Sequence, residues 1–323
     1  MRLTAEAAVE ALRAAGEPTR LRILALLHRE ELAVMELGQI LDQSQPRVSR
    51  HLKLLTEAGL VERFPDGAWM FYRLAAHGPR RVLIDRALAM IDPEDAELSR
   101  DQARLNQVHA GRMDAAADYF ARNAVQWDHL RALYVAEAEV EAAVLAAAGP
   151  GPFERLVDLG SGTGRMLTLF GQRARQAVGL DLSQQMLNVA RRRTGEAGLS
   201  HCELRHGDIF NTRLPDGFAD LVVVHQVLHY LSDPGAALAE AARLVEPQGR
   251  LLVVDFAPHR LEYLREAHQH RRLGFSDTEM QRWFEAAGLE ALAPVTLPAT
   301  RAEGLTVKIW TAARAAADAR NVA

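Results

Sequence analysis

The residues with the clearest chemical potential are three glycines at alternate positions. Gly160, Gly162 and Gly164 follow an apolar run typical of a β-strand, and helical spacing begins directly after them. A glycine loop between a strand and a helix lets a ligand approach the backbone closely, because no Cβ atoms stand in the way. A dinucleotide fingerprint, G-x-G-x-x-G, would need its last glycine at position 165, where the chain has Arg165. The spacing therefore excludes a typical NAD-binding loop.

Carboxylates around this loop indicate the kind of ligand. Asp158, just before the first glycine, suits a ligand that carries an ammonium group. Asp181 ends the second predicted strand, 21 positions after the first glycine, where a carboxylate can accept both hydroxyls of a ribose. Asp208 ends the third, where it can meet an adenine amino group while Ile209 covers the ring. Met186 is a candidate for the ring's other face, and the pattern indicates S-adenosylmethionine (SAM) or S-adenosylhomocysteine (SAH).

Two histidines four positions apart follow the fourth predicted strand. His225 is expected among the cofactor-binding residues, and His229 is the candidate general base on the methyl-donor side. The alternative is that His229 is a rim histidine packed over the ligand. No third ligand accompanies the pair, so no metal is expected. His259, His268 and His270 are interpreted as solvated loop or helix residues.

A parallel sheet with helices on both faces is the element that must position these residues. From about Phe153 onward, Val- and Leu-rich runs of five to seven residues alternate with helical stretches, which is the pattern of an α/β domain. The loop and the carboxylates then share one edge of the sheet. Strands are predicted at 155–159, 177–180, 202–206, 218–225 and 250–256, followed by an antiparallel strand at 305–312.

A second set of polar residues lies on a short predicted helix near the start of the chain. Ser44 can cap this helix with its side-chain oxygen, and Pro46 suits its first turn. Val48, Leu52 and Leu55 fall on one inward face. The predicted DNA-binding residues, which a major groove could accept, are Gln45, Pro46, Arg47, Ser49, Arg50 and Lys53. The alternative is that these cations form an ordinary solvated face.

A hairpin follows this helix, with a turn signal at 65–67 and an aromatic strand at 68–74. Two helices, a recognition helix and this wing resemble the ArsR-type winged-helix repressors over residues 17–74, most specifically in the stretch 44–55. The resemblance implies a cationic helix that enters the major groove of DNA.

The same resemblance implies a homodimer that binds a double-stranded operator with an inverted repeat, with dimer helices at 5–15 and 80–91. Many members of the family carry a cysteine pair for a metal or metalloid where this chain has Ala33 and Met35. Neither side chain supplies a thiolate, so arsenic or zinc sensing at that position is excluded.

The glycine loop and its carboxylates resemble the class I SAM-dependent methyltransferases over residues 153–313. Together the two resemblances predict an α/β protein with an N-terminal winged helix-turn-helix domain. Its C-terminal domain would be a Rossmann-like class I methyltransferase domain with a mostly parallel seven-stranded sheet. The predicted domains are a DNA-binding and dimerisation domain at 1–93, a helical linker with leading helices at 94–149, and the methyltransferase-like domain at 150–323.

Composition sets limits on these assignments. The 323 residues suffice for about two domains, and 38 basic against 42 acidic side chains exclude a uniformly cationic nucleic-acid binder. Cys202 is the single cysteine, which excludes disulfide stapling and thiolate metal cages. No run reaches the roughly 18 apolar residues of a membrane span. A cytoplasmic protein without membrane contact is expected.

The combination resembles fused regulators in which SAH or SAM is the signal and methionine-cycle genes are the targets. The prediction is a repressor whose operator affinity depends on the bound adenosyl ligand, with segment 94–149 as the transmitter. The alternative is a working methyltransferase with an attached DNA-binding domain, acting on a small hydrophobic or aromatic acceptor held among residues 257–284. The sequence leaves open both methyl transfer and the sign of the ligand response.

Overall fold

The computed structural model describes residues 3–75, 78–124, 127, 137–299 and 304–314. The fold separates into two compact units, Met1–Asp114 and Ala115–Ala323. Part of the predicted helical linker, residues 125–126 and 128–136, lies outside the described residues. The division at 93 and 149 expected from the sequence stays a prediction.

The first unit is helical with a small antiparallel sheet. Its elements are α1 (Ala5–Ala15), α2 (Pro18–Arg29), β1 (Leu32–Ala33), α3 (Val34–Leu41), α4 (Gln45–Glu57), β2 (Val61–Asp66), β3 (Trp69–Leu74), α5 (Pro79–Ala89) and the first part of α6 (Ala96–Asn123). The strands pair in the order β1-β3-β2. Helices α2, α3 and α4 bury their apolar stripes in one core. The hairpin of β2 and β3 adds buried side chains to the same core.

Helix α4 forms because its apolar residues recur at helical spacing. Val48, Leu52 and Leu55 are fully buried, and Pro46 occupies the first turn as predicted. The predicted cap hydrogen bond is wrong, since Ser44 has the extended backbone of an N-cap but its side chain accepts no hydrogen bond from the helix. The turn is therefore fixed by the proline and by burial of the apolar stripe.

The wing turns later than its sequence signal indicated. Asp66 pairs with Trp69, so the loop consists of Gly67 and Ala68, and Gly67 supplies the positive φ of 58° that this tight turn requires. Pro65 lies inside β2, opposite Met70. This position is compatible with a strand because β2 is an edge of the sheet, where a missing N–H donor leaves no partner unsatisfied.

Helix α6 is held in the first unit by a buried ion pair. The guanidinium of Arg22 on α2 donates two hydrogen bonds of 2.6 Å to the carboxylate of Asp101 on α6. The same pairing raises the pKa of Arg22. Leu105, one turn further along α6, is buried in the core of this unit. The start of α6 therefore belongs to the winged-helix fold.

The second unit is built around a large sheet. After the end of α6 its elements are α7 (Glu137–Ala148), β4 (Phe153–Leu159), α8 (Arg165–Phe170), β5 (Ala174–Asp181), α9 (Gln184–Glu196), β6 (Cys202–His206), β7 (Ala219–His225), α10 (Pro234–Leu244), β8 (Val245–Phe256), α11 (Tyr263–His268), α12 (Asp277–Ala286), β9 (Glu290–Ala291), β10 (Val295–Leu297) and β11 (Val307–Ala313).

The described strands pair in the order β10-β11-β8-β7-β4-β5-β6, and the two-residue β9 adds to β11. Neighbours from β8 to β6 are parallel, whereas β11 is antiparallel to β8. Buried side chains cover both faces of the sheet. The predicted fold class is confirmed: an N-terminal winged helix-turn-helix and a mostly parallel α/β unit with an antiparallel strand. None of the described helices has the length and apolar character needed to cross a membrane.

We expect Asp101→Ala to destabilise the first unit by about 3 kcal/mol, because it leaves the Arg22 guanidinium without its carboxylate. The Asp101 side chain is 2% exposed. Asp42→Asn is the control, since Asp42 is 82% exposed in its pair with Arg104 and should change stability little. Hydrogen exchange of the α2 and α4 amides in the full chain measures the stability of the first unit in both variants. Equal protection in the two variants would contradict the assigned role of the pair.

Candidate functional site

The glycine loop after β4 is shaped by close packing on two sides and by space on the third. A Cβ atom on Gly160 would lie 2.5 Å from Val227 Cγ2, and one on Gly164 would lie 2.9 Å from Ala190 Cβ. At Gly162, no described atom lies within 4 Å of such a Cβ. All three glycines have positive φ. The outer glycines therefore serve packing, whereas Gly162 faces open space.

Asp181 fixes the loop to the next strand. Its Oδ2 accepts a hydrogen bond of 2.8 Å from the Gly162 N–H, and its Oδ1 accepts one of 2.7 Å from the Ser183 N–H. Burial raises the pKa of Asp181 despite these two donors. Each oxygen keeps a lone pair, so both can still accept a hydroxyl hydrogen from a ligand.

The other predicted cofactor residues follow the same edge. Asp158 is buried near the end of β4, next to the loop. Asp208 is half-buried after β6 and accepts a hydrogen bond of 3.0 Å from the Phe210 N–H, while Ile209 is buried beside it. Met186 at the start of α9 is buried against Ala124 near the end of α6. The structure thus brings the end of α6, with Phe120, and the residue that follows it to the predicted adenine side.

Strand register shows how these positions are ordered. Leu159 is level with Leu180 on one side and with Val224 on the other, and Asp181 is level with His206. The strand ends therefore succeed one another across the sheet as β6, β5, β4, β7 and β8. Asp208, Asp181 and the glycine loop lie along three successive strand ends, as the sequence pattern predicts for one ligand.

His225 and His229 differ in their surroundings. His225 ends β7 and is half-buried. His229 is 1% exposed, and its Nδ1 lies 2.8 Å from Oδ1 of Asp255, which is 0% exposed. Asp255 also accepts hydrogen bonds from the backbone N–H groups of His229, at 3.4 Å, and Phe256, at 2.8 Å. The candidate base is thus held by a buried carboxylate.

His270 corrects one sequence interpretation. It is 7% exposed and not solvated, with its ring stacked on Phe256 at 6.0 Å and its centroid 4.2 Å from that of His229. Burial, with a smaller contribution from the basic side chains nearby, lowers the pKa of His270 far below its ordinary value. His270 is therefore neutral at physiological pH. The polar sequence His270-Arg271-Arg272 gave no local sign of this burial. In the fold, the backbone N–H groups of Arg271 and Arg272 donate hydrogen bonds to the backbone carbonyl of His229.

Sequence reasoning also missed Asp255 and the aromatic side chains near His229. Asp255 follows a fully buried Leu-Leu-Val-Val run at the carboxyl end of a strand, a signal that could have marked it. Phe120, Trp127 and Tyr230 form what is called here the aromatic cluster, with centroids 4.9 Å apart for Phe120 and Tyr230 and 5.2 Å apart for Phe120 and Trp127. Nothing local to α6 showed that Phe120, near its end, would meet Tyr230, 110 positions later in the chain.

The recognition helix of the first unit presents most of its predicted polar residues to solvent. Gln45, Pro46, Arg47, Arg50 and Lys53 are exposed, and Ser49 is half-buried. Lys53 lies 3.8 Å from Glu57, one turn along the helix, which is an exposed pair of little strength. His51 turns instead toward Glu17 on the inner side, at 3.4 Å. Cationic groups thus line the outer face of a helix seated in a winged-helix core.

Among the described residues, no three histidine, cysteine or carboxylate side chains are grouped so as to hold a metal ion. The residues at the glycine loop fit an adenosyl ligand better than a metal ion. Open space faces Gly162, and the Asp181 carboxylate beside it has lone pairs left for hydroxyl groups. The two units define a DNA-binding regulator joined to a methyltransferase-type domain.

Comparison with known proteins agrees with both halves. Residues 17–63 match the family model of bacterial regulatory proteins of the arsR family, and residues 157–253 match a methyltransferase domain model. The arsenical resistance operon repressor of Escherichia coli K12 is 42% identical over 94 residues, covering 28% of this chain and 80% of that protein. The chain belongs to the arsR family, with its family domain fused to a class I methyltransferase domain.

Relatives of the second unit are more partial. The malonyl-[acyl-carrier protein] O-methyltransferase of Serratia marcescens is 35% identical over 155 residues, which are 48% of this chain and 58% of that protein. The chain spans about half the length of the curated methyltransferases that it matches. A chain of the solved complex between the Haloferax volcanii Trm112 methyltransferase activator and a methyltransferase shares the fold, with a TM-score of 0.51, 20% identity, and coverage of 61% of this chain and 97% of that one.

The buried His270 makes a pH-dependent contribution to the stability of the second unit. Because the pKa of His270 is depressed in the folded state, only the unfolded chain takes up this proton below about pH 6.5. The free energy of unfolding therefore falls by up to about 1.4 kcal/mol for each pH unit below that value. We expect His270→Phe, which keeps the ring on Phe256, to remove this dependence. Calorimetric melting of the second unit at pH 5.5 and 7.5 measures the difference. The exposed His206, changed to Gln, serves as control, and an unaltered pH dependence in His270→Phe would contradict the assignment.

Proposed function

We propose that this protein is a DNA-binding repressor whose operator affinity depends on SAH or SAM bound in its methyltransferase-type domain. The observation that carries the proposal is the open face of Gly162 beside the Asp181 carboxylate, in a chain that also exposes a cationic recognition helix. Methionine-cycle genes are the proposed targets, because the ligand pair reports the balance of methyl donor and product.

The order of strand ends supports one orientation for the ligand. With the adenine amino group at Asp208 and the ribose hydroxyls at Asp181, the rest of the nucleoside continues over the glycine loop toward β7 and β8. Asp158 and the open backbone of the loop then face the amino-acid portion. His225 closes the far side. The ligand would thus cross several strand ends, which suits an elongated thioether or sulfonium nucleoside.

Helix α6 is the proposed transmitter. Its first part contributes Asp101 and Leu105 to the winged-helix core. Its last part contributes Phe120 to the cluster around Met186, beside the proposed adenine pocket, and Ala124, just after the helix, belongs to the same cluster. A ligand that alters the packing on Met186 would therefore act on a helix that is also part of the DNA-binding unit. Such coupling needs unequal ligand affinity for the DNA-competent and incompetent states, and about 1 to 3 kcal/mol suffices.

The proposed assembly is a homodimer on an inverted-repeat operator. Helices α1 and α5 expose apolar side chains, among them Val9 and Leu12 on α1 and Val82 on α5, and these are the surfaces that a second copy would cover. Arsenical control, the function in the name of the Escherichia coli relative, is not proposed here. The described residues group no metal-binding set, and the chain has Ala33 and Met35 where many family members have cysteines.

Ligand binding at the glycine loop is tested by matched glycine variants. Gly162→Ala places a methyl group in the open space and should weaken SAH binding at least about tenfold, a loss of about 1.4 kcal/mol. Gly198→Ala is the control, because Gly198 also has positive φ and open surroundings but lies after α9, outside the site. Both variants place a Cβ atom on a residue with positive φ. Calorimetric titration measures affinity, and equal binding by the two variants would contradict the site.

The regulatory function is tested with duplexes that full-length protein selects from a random-sequence pool. Fluorescence anisotropy then measures duplex affinity with and without saturating SAH or SAM. We expect one ligand to change the affinity by about fivefold to a hundredfold, and the other to change it less. Identical affinities with SAH, with SAM and without ligand would refute the sensor.

Two arginine variants separate specific binding from general charge. Arg50→Ala should weaken binding of the selected duplex by about 1 to 3 kcal/mol, since Arg50 is exposed on the recognition helix. Arg100→Ala removes an equally exposed charge from α6 and should have a small effect. If the two losses are equal, α4 does not read the operator.

A working methyltransferase is the second candidate function. The buried pair of His229 and Asp255, at the strand ends beyond the glycine loop, favours it. The two functions are compatible in one chain, because a regulator that binds SAM with an intact base could also turn it over.

A further inference from the structure

The His229–Asp255 pair is a buried polar pair that nucleoside binding alone does not use. Its members are 1% and 0% exposed. Burial of such a pair costs desolvation that its mutual attraction repays poorly, so stability gives little reason to keep it. Buried titratable pairs at the carboxyl edge of an α/β sheet are instead frequent in sites that transfer protons.

Asp255 determines which nitrogen of His229 is available. A carboxylate only accepts hydrogen bonds, so the 2.8 Å contact places the imidazole hydrogen on Nδ1. The backbone N–H of Phe256 also donates to Asp255 and holds the carboxylate in place. Within the described part of the chain, Nε2 of His229 takes part in no hydrogen bond. In the tautomer that carries its hydrogen on Nδ1, the lone pair lies on Nε2, as a general base requires.

The pair lies where the reactive end of the ligand is expected. His225 is level with Val254, so Asp255 continues the line of strand ends that runs from the glycine loop across β7 to β8. Two strand spacings separate the loop from β8, about 10 Å. A nucleoside held by Asp181 and Asp208 would direct its sulfur toward this side.

The surroundings of His229 favour a flat, aromatic acceptor. Tyr230 of the aromatic cluster lies 4.0 Å from His229 between ring centroids, and Phe120 meets Tyr230 edge to face at 4.9 Å. His270, a neutral ring, lies next to both of them, with its centroid 4.2 Å from that of His229 and 5.2 Å from that of Tyr230. Aromatic side chains recognise planar rings through such edge and face contacts. An acceptor bearing a hydroxyl group would add the proton that a base can remove.

We propose that this protein methylates the hydroxyl group of a phenolic acceptor, with His229 as the base and Asp255 as the residue that positions it. The hydroxyl proton passes to Nε2 of His229, and the phenolic oxygen forms a bond to the methyl carbon of SAM. The carbon–sulfur bond breaks, and its electron pair returns to sulfur, giving SAH and a methyl ether. The proton leaves His229 to solvent after the product departs. This proposal rests on the nucleoside site proposed in the preceding subsection.

The experiment uses the full-length protein, methyl-labelled SAM and 4-nitrophenol, whose phenolate form is yellow. One readout is labelled methyl ether, which gives kcat and KM. The second is the phenolate absorbance of 4-nitrophenol added to the SAH-bound protein, which reports proton transfer without turnover. We expect wild-type protein to form the ether and to raise the phenolate fraction of the bound probe.

Matched variants assign the effect to the pair. His229→Gln and Asp255→Asn should each lower kcat by about 100-fold or more, with a smaller change in KM, and should abolish the gain in phenolate. Asp255→Asn retains the shape, but its amide can donate to Nδ1 and so permit the unproductive tautomer. His201→Gln is the control, because His201 bonds to the Gly171 carbonyl before β6, at the opposite edge of the sheet. Calorimetric SAH binding verifies that each variant is folded.

The outcomes separate this proposal from the regulatory one. Absence of methyl ether from wild-type protein overturns the proposal, as does full activity in His229→Gln. A fall in kcat with an unchanged phenolate signal also overturns it, since the pair would then be only structural. If SAH binding and the ligand-dependent operator shift persist while methylation is absent, the repressor stands without this activity. If SAH does not bind at all, both proposals fail together.

Discussion

The second unit depends on one carboxylate that joins two chain segments. Asp181 accepts a hydrogen bond from Gly162 on the loop after β4 and another from Ser183 at the start of α9. Both donors are backbone groups, so the Asp181 side chain fixes the main chain of the loop and of the start of α9. Burial raises the pKa of this carboxyl group, because removal from water penalises its charged form. The geometry of the loop, and any ligand seated on it, follows from this arrangement.

The part of the site that the sequence predicted is the part encoded by local signals. The loop of Gly160, Gly162 and Gly164 and the strand end at Asp181 have fixed spacings, so their elements and their shared sheet edge followed from the residues. The His229–Asp255 pair could not be predicted in that way, because its members are 26 positions apart and meet only when β7 and β8 align. His270 was misjudged because its neighbours are arginines, whereas tertiary packing decided its burial.

The two ends of α6 illustrate a different limit of sequence reasoning. Its composition predicts a helix but contains no signal for its partners, which are Arg22 at one end and Met186 at the other. Both contacts are long-range and arise from the fold. One helix, α6, therefore supplies side chains to two places. These are the core that presents Arg50 and the cluster beside the proposed nucleoside pocket.

Pro65 in the wing has a consequence for solubility. The outer edge of β2 would otherwise present an uninterrupted row of backbone donors and acceptors to other molecules, and such rows template intermolecular sheets. Pro65, the fifth residue of this six-residue strand, has no N–H to donate, and its ring obstructs close approach of another strand. This edge of the hairpin is therefore poorly suited to pair with a strand of another molecule.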